Sequence, residues 1–465
     1  MNPLFEASVY ANRRDQLTRT LKTGIAVFLG NHEAPMNYPD NTYNFRQDSD
    51  FLYFFGLSIA DIAAVIDFDE HISIIFGDDF GIDDIIWMGD QPTISSLAEK
   101  VGVRETRLMA KLQDYIREAQ EKGRKVHFTP PYRGDNQILL SNLTGIPVNE
   151  VREAASVDLI KGIVALRSAK EQCEIEEMEK ACEIGVRMHT AVMRRCVAGA
   201  SEHELAGLAE GIALSYGNGI SFPVILSQHG ETLHNHLHNG ILKEGNMLLM
   251  DAGAEGLMNY CSDYTRTMPV NGTFTAKQKE IYEIVLKSNL SAIEAAHPGM
   301  YNRELHRLSC EVIAQGLKDL GLMKGDVHEA VEAGAHALFM VHGLGHQIGL
   351  DVHDMEGLGQ IYVGYDDTVR PSNIFGWASL RMARELKPGF VVSIEPGIYF
   401  IPHLIDIWKK ENKFPEFINY DVVEKYRDFG GIRIEDDLLI TETGHKVLGP
   451  HLPKTTDELA AIIGK

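Results

Sequence analysis

Apolar positions in the first third of the chain come in short blocks. Ile25–Leu29 is one, and Ala63–Phe68 and His71–Phe76 are two more, parted by the acidic pair Asp69-Glu70. Blocks of that length bounded by turn residues predict β-strands. From Ser168 the period lengthens: Ile175, Met178, Cys182, Val186, His189, Val192 and Cys196 recur every three or four residues and predict one long amphipathic helix. Two capping boxes, Ser201-x-x-Glu204 and Thr275-x-x-Gln278, each open a further helix, and a fourth is expected from about Asn302 to Leu320. The change of period divides the chain into a small α/β domain, residues 1–165, and a larger second domain, residues 166–465. Without a Pro/Gly/Ser linker or low-complexity stretch, the two are expected to pack directly.

An internal repeat sharpens the second domain. Lys243-x-Gly245-x-Met-Leu-Leu-Met-Asp251-x-Gly253 matches Lys387-x-Gly389-x-Val-Val-Ser-Ile-Glu395-x-Gly397 at a constant offset of 144 residues. Each copy reads as a buried strand ending in a carboxylate and a glycine turn. A second carboxylate follows in each, Asp263 before Gly272 and Glu435 before Gly444, with the same gap of nine residues. The pattern predicts two halves related by a pseudo-two-fold axis, which brings four carboxylates to the centre of one sheet. Taken singly, each acid reads equally well as a strand-end residue or the partner of an arginine.

Composition adds limits. The 465 residues are 44% hydrophobic and 24% charged, which excludes disordered and fibrous classes. With 44 Lys+Arg against 66 Asp+Glu the net charge is -22, and no basic stripe interrupts it, so nucleic acid and anionic membrane are not expected partners. The N-terminal residues carry arginines with no apolar run behind them and no stretch is long enough to span a bilayer, so the chain reads as cytoplasmic. Its five cysteines, Cys173, Cys182, Cys196, Cys261 and Cys310, form no CxxC pair, which argues against a disulfide framework and a structural zinc site.

In Gly431-Ile-Arg-Ile-Glu-Asp436 the period of two puts Ile432 and Ile434 on one face of a strand and Arg433 and Glu435 on the other. Four buried carboxylates demand compensation beyond one arginine, because each isolated charge costs several kcal/mol in a low-dielectric interior. Divalent cations shared by Asp251, Asp263, Glu395 and Glu435 supply it, and an oxygen-rich set favours manganese, cobalt or iron over structural zinc. Histidines are available: only three of the 19 precede residue 160. Leu233-His-Asn-His-Leu-His238, read as a strand, places three imidazoles on one face, and it also reads as a metal-binding tract or as solvent-facing residues. His342, His346 and His353 fall within twelve residues, the first two flanked by glycines that let the backbone pass close to a ligand.

Together, Met250-Asp-Ala-Gly, Ser262-Asp-Tyr-Thr-Arg-Thr, His342-Gly-Leu-Gly-His346, Ile394-Glu-Pro-Gly-Ile-Tyr399 and Gly431-Ile-Arg-Ile-Glu-Asp436 resemble the aminopeptidase P/prolidase family. Tyr43-Asn-Phe-Arg-Gln-Asp-Ser-Asp-Phe-Leu-Tyr-Phe-Phe55 is similar to that family's amino-terminal signature. The resemblance implies an α/β amino-terminal domain and a pita-bread catalytic domain. It implies that Asp251 holds one metal, that Asp263 and Glu435 bridge both, and that His346 and Glu395 complete the other. The cofactor implied is a manganese pair, with Co2+, Fe2+ or Zn2+ as alternatives, and a hydroxide bridging the ions attacks the Xaa-Pro amide. Glu395 is the implied proton shuttle; His353, His342 and His234 are implied at the substrate, with Tyr399 and Arg433 behind them. Homodimers or homotetramers are expected from the same likeness. The 12-residue spacing from Asp251 to Asp263 is one more than is usual for the family; placed in the hairpin turn around Glu255 to Asn259 it leaves the ligands' faces unchanged, and placed as a bulge it shifts them.

Two activities fit. The Phe45-Arg-Gln-Asp-Ser-Asp-Phe51 segment looks like bacterial aminopeptidase P, which cleaves Xaa-Pro at the N-terminus of longer peptides. Ser379-Leu-Arg-Met-Ala-Arg384 and Tyr426-Arg-Asp-Phe-Gly-Gly431 resemble Xaa-Pro dipeptidase, with Arg381 at the position of its carboxylate anchor, where it reads equally as a surface arginine. The aminopeptidase is the leading expectation. A metal-free peptide-binding module is the remaining class, and the intact ligand set speaks against it.

Overall fold

In the computed structural model, which describes residues 3–465, contacts divide the chain into two units. One holds the chain up to Arg167 together with Met355–Tyr362, the other Ser168–Asp354 with Val363–Lys465.

The first unit is built on five strands: β1 (Ile25–Leu29), β2 (Ala63–Asp67), β3 (Ile72–Phe76), β4 (Glu105–Arg107) and β5 (Val126–His127). Their order is β4-β3-β2-β1-β5, antiparallel through β1, β2 and β3 and parallel at both edges. The acidic turn works as the sequence suggests: β2 and β3 pair from Ala63↔Phe76 to Asp67↔Ile72, and His71 takes a left-handed φ of 55° to close the hairpin. Ile25, Val27, Val65, Ile74 and Phe76 on one sheet face meet Leu112 and Ile116 of the helix Leu112–Glu121. The helix Ser49–Phe55 is buried along its whole length and capped by Asp48, which accepts the Phe51 N–H at 2.9 Å.

The long helix of the second unit is Gln172–Arg195 and does not start at Ser168. The preceding stretch Val157–Ser168 is a separate helix, and the break falls where Glu171 and Glu174 form a reciprocal cap. The buried stripe runs through Met178, Cys182, His189 and Val192 but is wider than the apolar spacing alone indicates, since Glu174, Gly185 and Met193 join it. Of the two capping boxes, Thr275 forms its own, accepting the Gln278 N–H at 3.2 Å while its N–H donates to Gln278 Oε1 at 2.9 Å. Ser201 makes no such side-chain bond; Glu202 beside it instead accepts the N–H groups of Gln228 and Gly240, both at 2.8 Å. The helix Asn302–Asp319 lies where the sequence places it.

Ten short strands complete the unit: β6 (Gly219–Ile220), β7 (Ile225–Ser227), β8 (Met247–Asp251), β9 (Ala254–Glu255), β10 (Thr265–Pro269), β11 (Val391–Ile394), β12 (Gly397–Tyr399), β13 (Gly431–Arg433), β14 (Asp436–Ile440) and β15 (His445–Val447). The sheets β10-β8-β7 and β11-β14-β15 are the two copies of the sequence repeat. In each, the first strand follows a glycine with positive φ, Gly245 at 88° and Gly389 at 85°, and pairs antiparallel with the strand behind the second carboxylate. A bridge between Thr265 and Glu435 joins the two. Among the described residues no helix is long and apolar enough to cross a membrane.

Candidate active site

Asp251 ends β8, and β10 opens two residues after Asp263. The pairing Asp251↔Thr265 continues through Ala252 N–H to Tyr264 O at 3.0 Å, Ser262 N–H to Ala254 O at 3.0 Å and the bridge Glu255↔Cys261 without a change of register. The ladder therefore contains no bulge. The length of this hairpin is taken up at its tip, where Asn259 has a φ of 67° and donates its N–H to Gly256 O at 2.9 Å, so Asp251 and Asp263 keep one face.

The other copy contributes Glu395, directly after β11, and Glu435, directly before β14. The segment carrying His346 pairs with β11, Gln347 against Val392, and the fit requires glycine: a Cβ on Gly345 would lie 1.9 Å from Ser393 O. Ser393 then serves twice, its hydroxyl accepting the His346 N–H at 3.0 Å and lying 3.5 Å from Glu395 Oε1.

These elements enclose a cavity of about 280 Å³ lined by Asp251, Asp263, Glu395 and Glu435, by His234, His342, His346 and His353, and by Arg381 and Arg433. Tyr399 stands behind its wall. Of the residues expected at the site, the structure thus brings all but Tyr399 to one surface. The donor atoms of Asp263, His346 and Glu435 lie within 4.8 Å of one another. His346 Nε2 is 3.4 Å from Asp263 Oδ2 and 3.6 Å from Glu395 Oε1, and its ring centroid is 4.1 Å from that of His353.

Arg433 organises the floor. It donates to Asp251 Oδ2 at 2.6 Å, to the Tyr399 hydroxyl at 2.7 Å and to Thr265 Oγ1 at 3.0 Å, and Thr265 in turn donates to Glu435 Oε2 at 2.6 Å. Tyr399 bonds His342 Nε2 at 2.8 Å, while His342 Nδ1 reaches Gly343 O at 2.8 Å. With Arg433 supplying the first proton, the bonds run one way from Arg433 through Tyr399 and His342 to Gly343. Burial, with the Arg433 charge, lowers the His342 imidazole to about 3, so its ring is neutral.

The two guanidiniums do not balance four acids. Burial, then the neighbouring carboxylates, push Asp263 well above its ordinary value, and the same two causes raise Glu435. Burial raises Glu395 to about 8 against the opposing pull of Arg433. Asp251 Oδ1 and Asp263 Oδ1 are buried and have no hydrogen-bond partner. Buried oxygen donors without partners, beside a neutral imidazole, fit divalent cations.

Several contributors escape sequence reading. His236 joins His234 on the wall, as the one-face reading of that segment expects, but Leu233–His238 is irregular rather than a strand and His238 turns aside to Leu226 O at 3.0 Å. Asp437 accepts the Asp263 N–H at 3.0 Å, His189 bonds Ala252 O at 3.0 Å, and Asn289 donates to Ile394 O at 3.1 Å, so each repeat copy has a helix residue holding the end of its carboxylate-bearing strand. Only the motif-embedded Thr265 carries a sequence signal.

Comparison with known proteins agrees with this geometry. Residues 176–442 match the model of metallopeptidase family M24, and residues 10–127 match the aminopeptidase P N-terminal domain. The human Xaa-Pro dipeptidase is 32% identical, covering 98% of this chain and 93% of its own. A probable Xaa-Pro aminopeptidase of Verticillium alfalfae is 31% identical, covering 95% and 92%. Among solved structures, an Escherichia coli aminopeptidase P superposes with a TM-score of 0.80 at 28% identity, covering 99% of this chain and 98% of that one. With the family model spanning more than half of it, and with relatives aligned nearly end to end, the chain belongs to metallopeptidase family M24, a metal-dependent enzyme family with the pita-bread fold.

Proposed function

We propose that this protein is an Xaa-Pro aminopeptidase, removing the first residue of peptides whose second residue is proline. The observation that carries the reading is the single cavity onto which four carboxylates, five histidines and two arginines converge. Its substrate class is supported by the names of its relatives, and its exopeptidase mode by the whole-chain likeness to aminopeptidase P structures.

In this reading Asp251 holds one ion, Asp263 and Glu435 hold both, and His346 with Glu395 complete the second. Held there, a pair of divalent ions would supply Lewis-acid polarisation of the scissile carbonyl and a water of lowered pKa. Glu395 carries the proton to the departing proline nitrogen. His353 donates to the oxyanion, His342 presents a neutral ring to the leaving-group side, and His234 lines the entrance. Arg433 and Tyr399 position Asp251 and His342. Manganese is the proposed metal, supported by oxygen donors with a single imidazole. A cytoplasmic location is supported by five free thiols. A homodimer or homotetramer is supported by Ile82, Ile86 and Trp87, each more than two-thirds exposed on one short helix of the first unit.

One observation favours a second reading. Arg381 lines the cavity beside Ser379, where a guanidinium pairs with the terminal carboxylate of a dipeptide. The test is hydrolysis of a Gly-Pro dipeptide and an Xaa-Pro-Xaa tripeptide by manganese-loaded protein with a chelator control. Cleavage of the tripeptide at Xaa-Pro supports the aminopeptidase, cleavage of the dipeptide alone the dipeptidase, and cleavage of neither overturns both.

A further inference from the structure

Besides Asp263, His346 and Glu435, one other set of donors among the described residues is close enough to share an ion: His306, Cys310 and His336, again within 4.8 Å of one another. His306 and Cys310 are four residues apart on the helix Asn302–Asp319 and so share a face. His336 comes from the turn Ala335–Leu338, and Met340 follows it. All four are fully buried. Trp377 walls the group, its ring centroid 4.9 Å from that of His306 and 6.2 Å from that of His336, and its own N–H is committed to Val331 O at 3.0 Å.

The site is built but its polar groups are not answered. His336 has at most the Val331 carbonyl, which already accepts the Trp377 N–H, and makes no well-formed hydrogen bond through either nitrogen, although a neutral imidazole carries one donor and one acceptor that are unfavourable to bury unbonded. Cys310 Sγ lies 3.6 Å from His306 Nε2 and 4.0 Å from Met340 Sδ. Bonds of about 2.0–2.1 Å to nitrogen and about 2.3 Å to sulfur put two such ligands on one ion about 3.6–3.8 Å apart. The His306–Cys310 pair already has that separation. Charge selects the ion: one thiolate neutralises a monovalent cation, whereas a divalent one leaves a positive charge in an apolar pocket where the Arg307 guanidinium already lies 5.9 Å from the Trp377 ring. Thiolate and thioether sulfur select copper(I) among soft cations.

We propose that His306, Cys310 and His336, with the Met340 sulfur alongside, form a second metal site that takes one copper(I) ion. Binding breaks the Cys310 S–H bond and forms a sulfur–copper bond, with the proton released to solvent and no change of oxidation state. The site shares no residue with the peptidase cavity.

The test uses the full chain loaded with manganese, both purified from copper-supplemented cells and incubated anaerobically with copper(I) near its unfolding temperature, then desalted. The expected result is about one copper per chain with a near-ultraviolet thiolate-to-copper band, retained in Asp263→Ala and reduced about tenfold or more in Cys310→Ala and in His336→Leu. Two variants at different positions keep the test open if one fails to fold. Equal copper in a folded Cys310→Ala or His336→Leu chain, no copper under either loading, or zinc held there in preference to copper(I) would each overturn the proposal. Because the readout is bound metal, loss of peptidase activity leaves the result untouched.

Discussion

Asp67 in the first unit and Asp263 in the second are both buried carboxylates at the ends of β-pairs, yet their surroundings differ in kind. Burial alone raises Asp67, but Arg124, the Tyr115 hydroxyl at 2.6 Å and the Glu70 N–H at 3.0 Å all donate to it, and together with the Arg124 charge they hold it below its ordinary value. Asp263 keeps one oxygen without a partner and faces Glu435, Asp251 and Glu395, so every neighbouring charge adds to the effect of burial. The first arrangement is complete as a fold, whereas the second is complete only with cations, and that contrast separates structure from chemistry in this chain.

Removing the unbalanced acids gives the largest effect. Asp263→Ala or Glu435→Ala is expected to abolish retention of the divalent metal and to lower kcat/KM by about a thousandfold or more, while hydrogen exchange of the β1–β5 sheet stays native. Full activity in either variant would sink the assignment. Next, His353→Ala should reduce kcat by about a hundred- to a thousandfold with metal content unchanged, as metal analysis beside kinetics will show. Arg381→Ala separates the two substrate readings: a carboxylate anchor predicts a dipeptide KM raised about ten- to a hundredfold with the tripeptide little affected, whereas equal loss on both makes Arg381 structural.

The smallest effect on activity is expected at the balanced acid. Asp67→Asn should destabilise the first unit by about 2–4 kcal/mol in denaturant titration and leave kcat per folded molecule unchanged. Its pH dependence has a definite sign. Since the folded carboxyl titrates below the ordinary value of 3.8, its stabilisation is whole above that pH and is lost as pH falls through the folded value. Wild type should therefore lose stability on acidification where Asp67→Asn changes less, and parallel curves would show that the Arg124 contact contributes nothing.

What the sequence made legible follows from range. Ile25–Leu29 and Ala63–Asp67 announce themselves because apolar blocks bounded by turns are local signals, and the 144-residue repeat foretold two sheets because each copy carries its own glycine, strand and acid. The motifs that meet in the cavity were readable for the same reason. Ser201 looked like a cap, but the sequence carries no sign that Glu202 would take the nearby N–H groups of Gln228 and Gly240. Asp437 under Asp263, Asn289 under β11 and Met340 against Cys310 are meetings of residues from 30 to 174 positions apart, and no periodicity encodes them.

The hairpin between Asp251 and Asp263 has one more lesson. Its ladder holds a single register up to Glu255–Cys261, and whatever the length of the chain beyond that pair, the two acids are fixed by the rungs below it. A label attached at Leu257, which is half exposed at the tip, therefore leaves the shared face of the two acids unchanged.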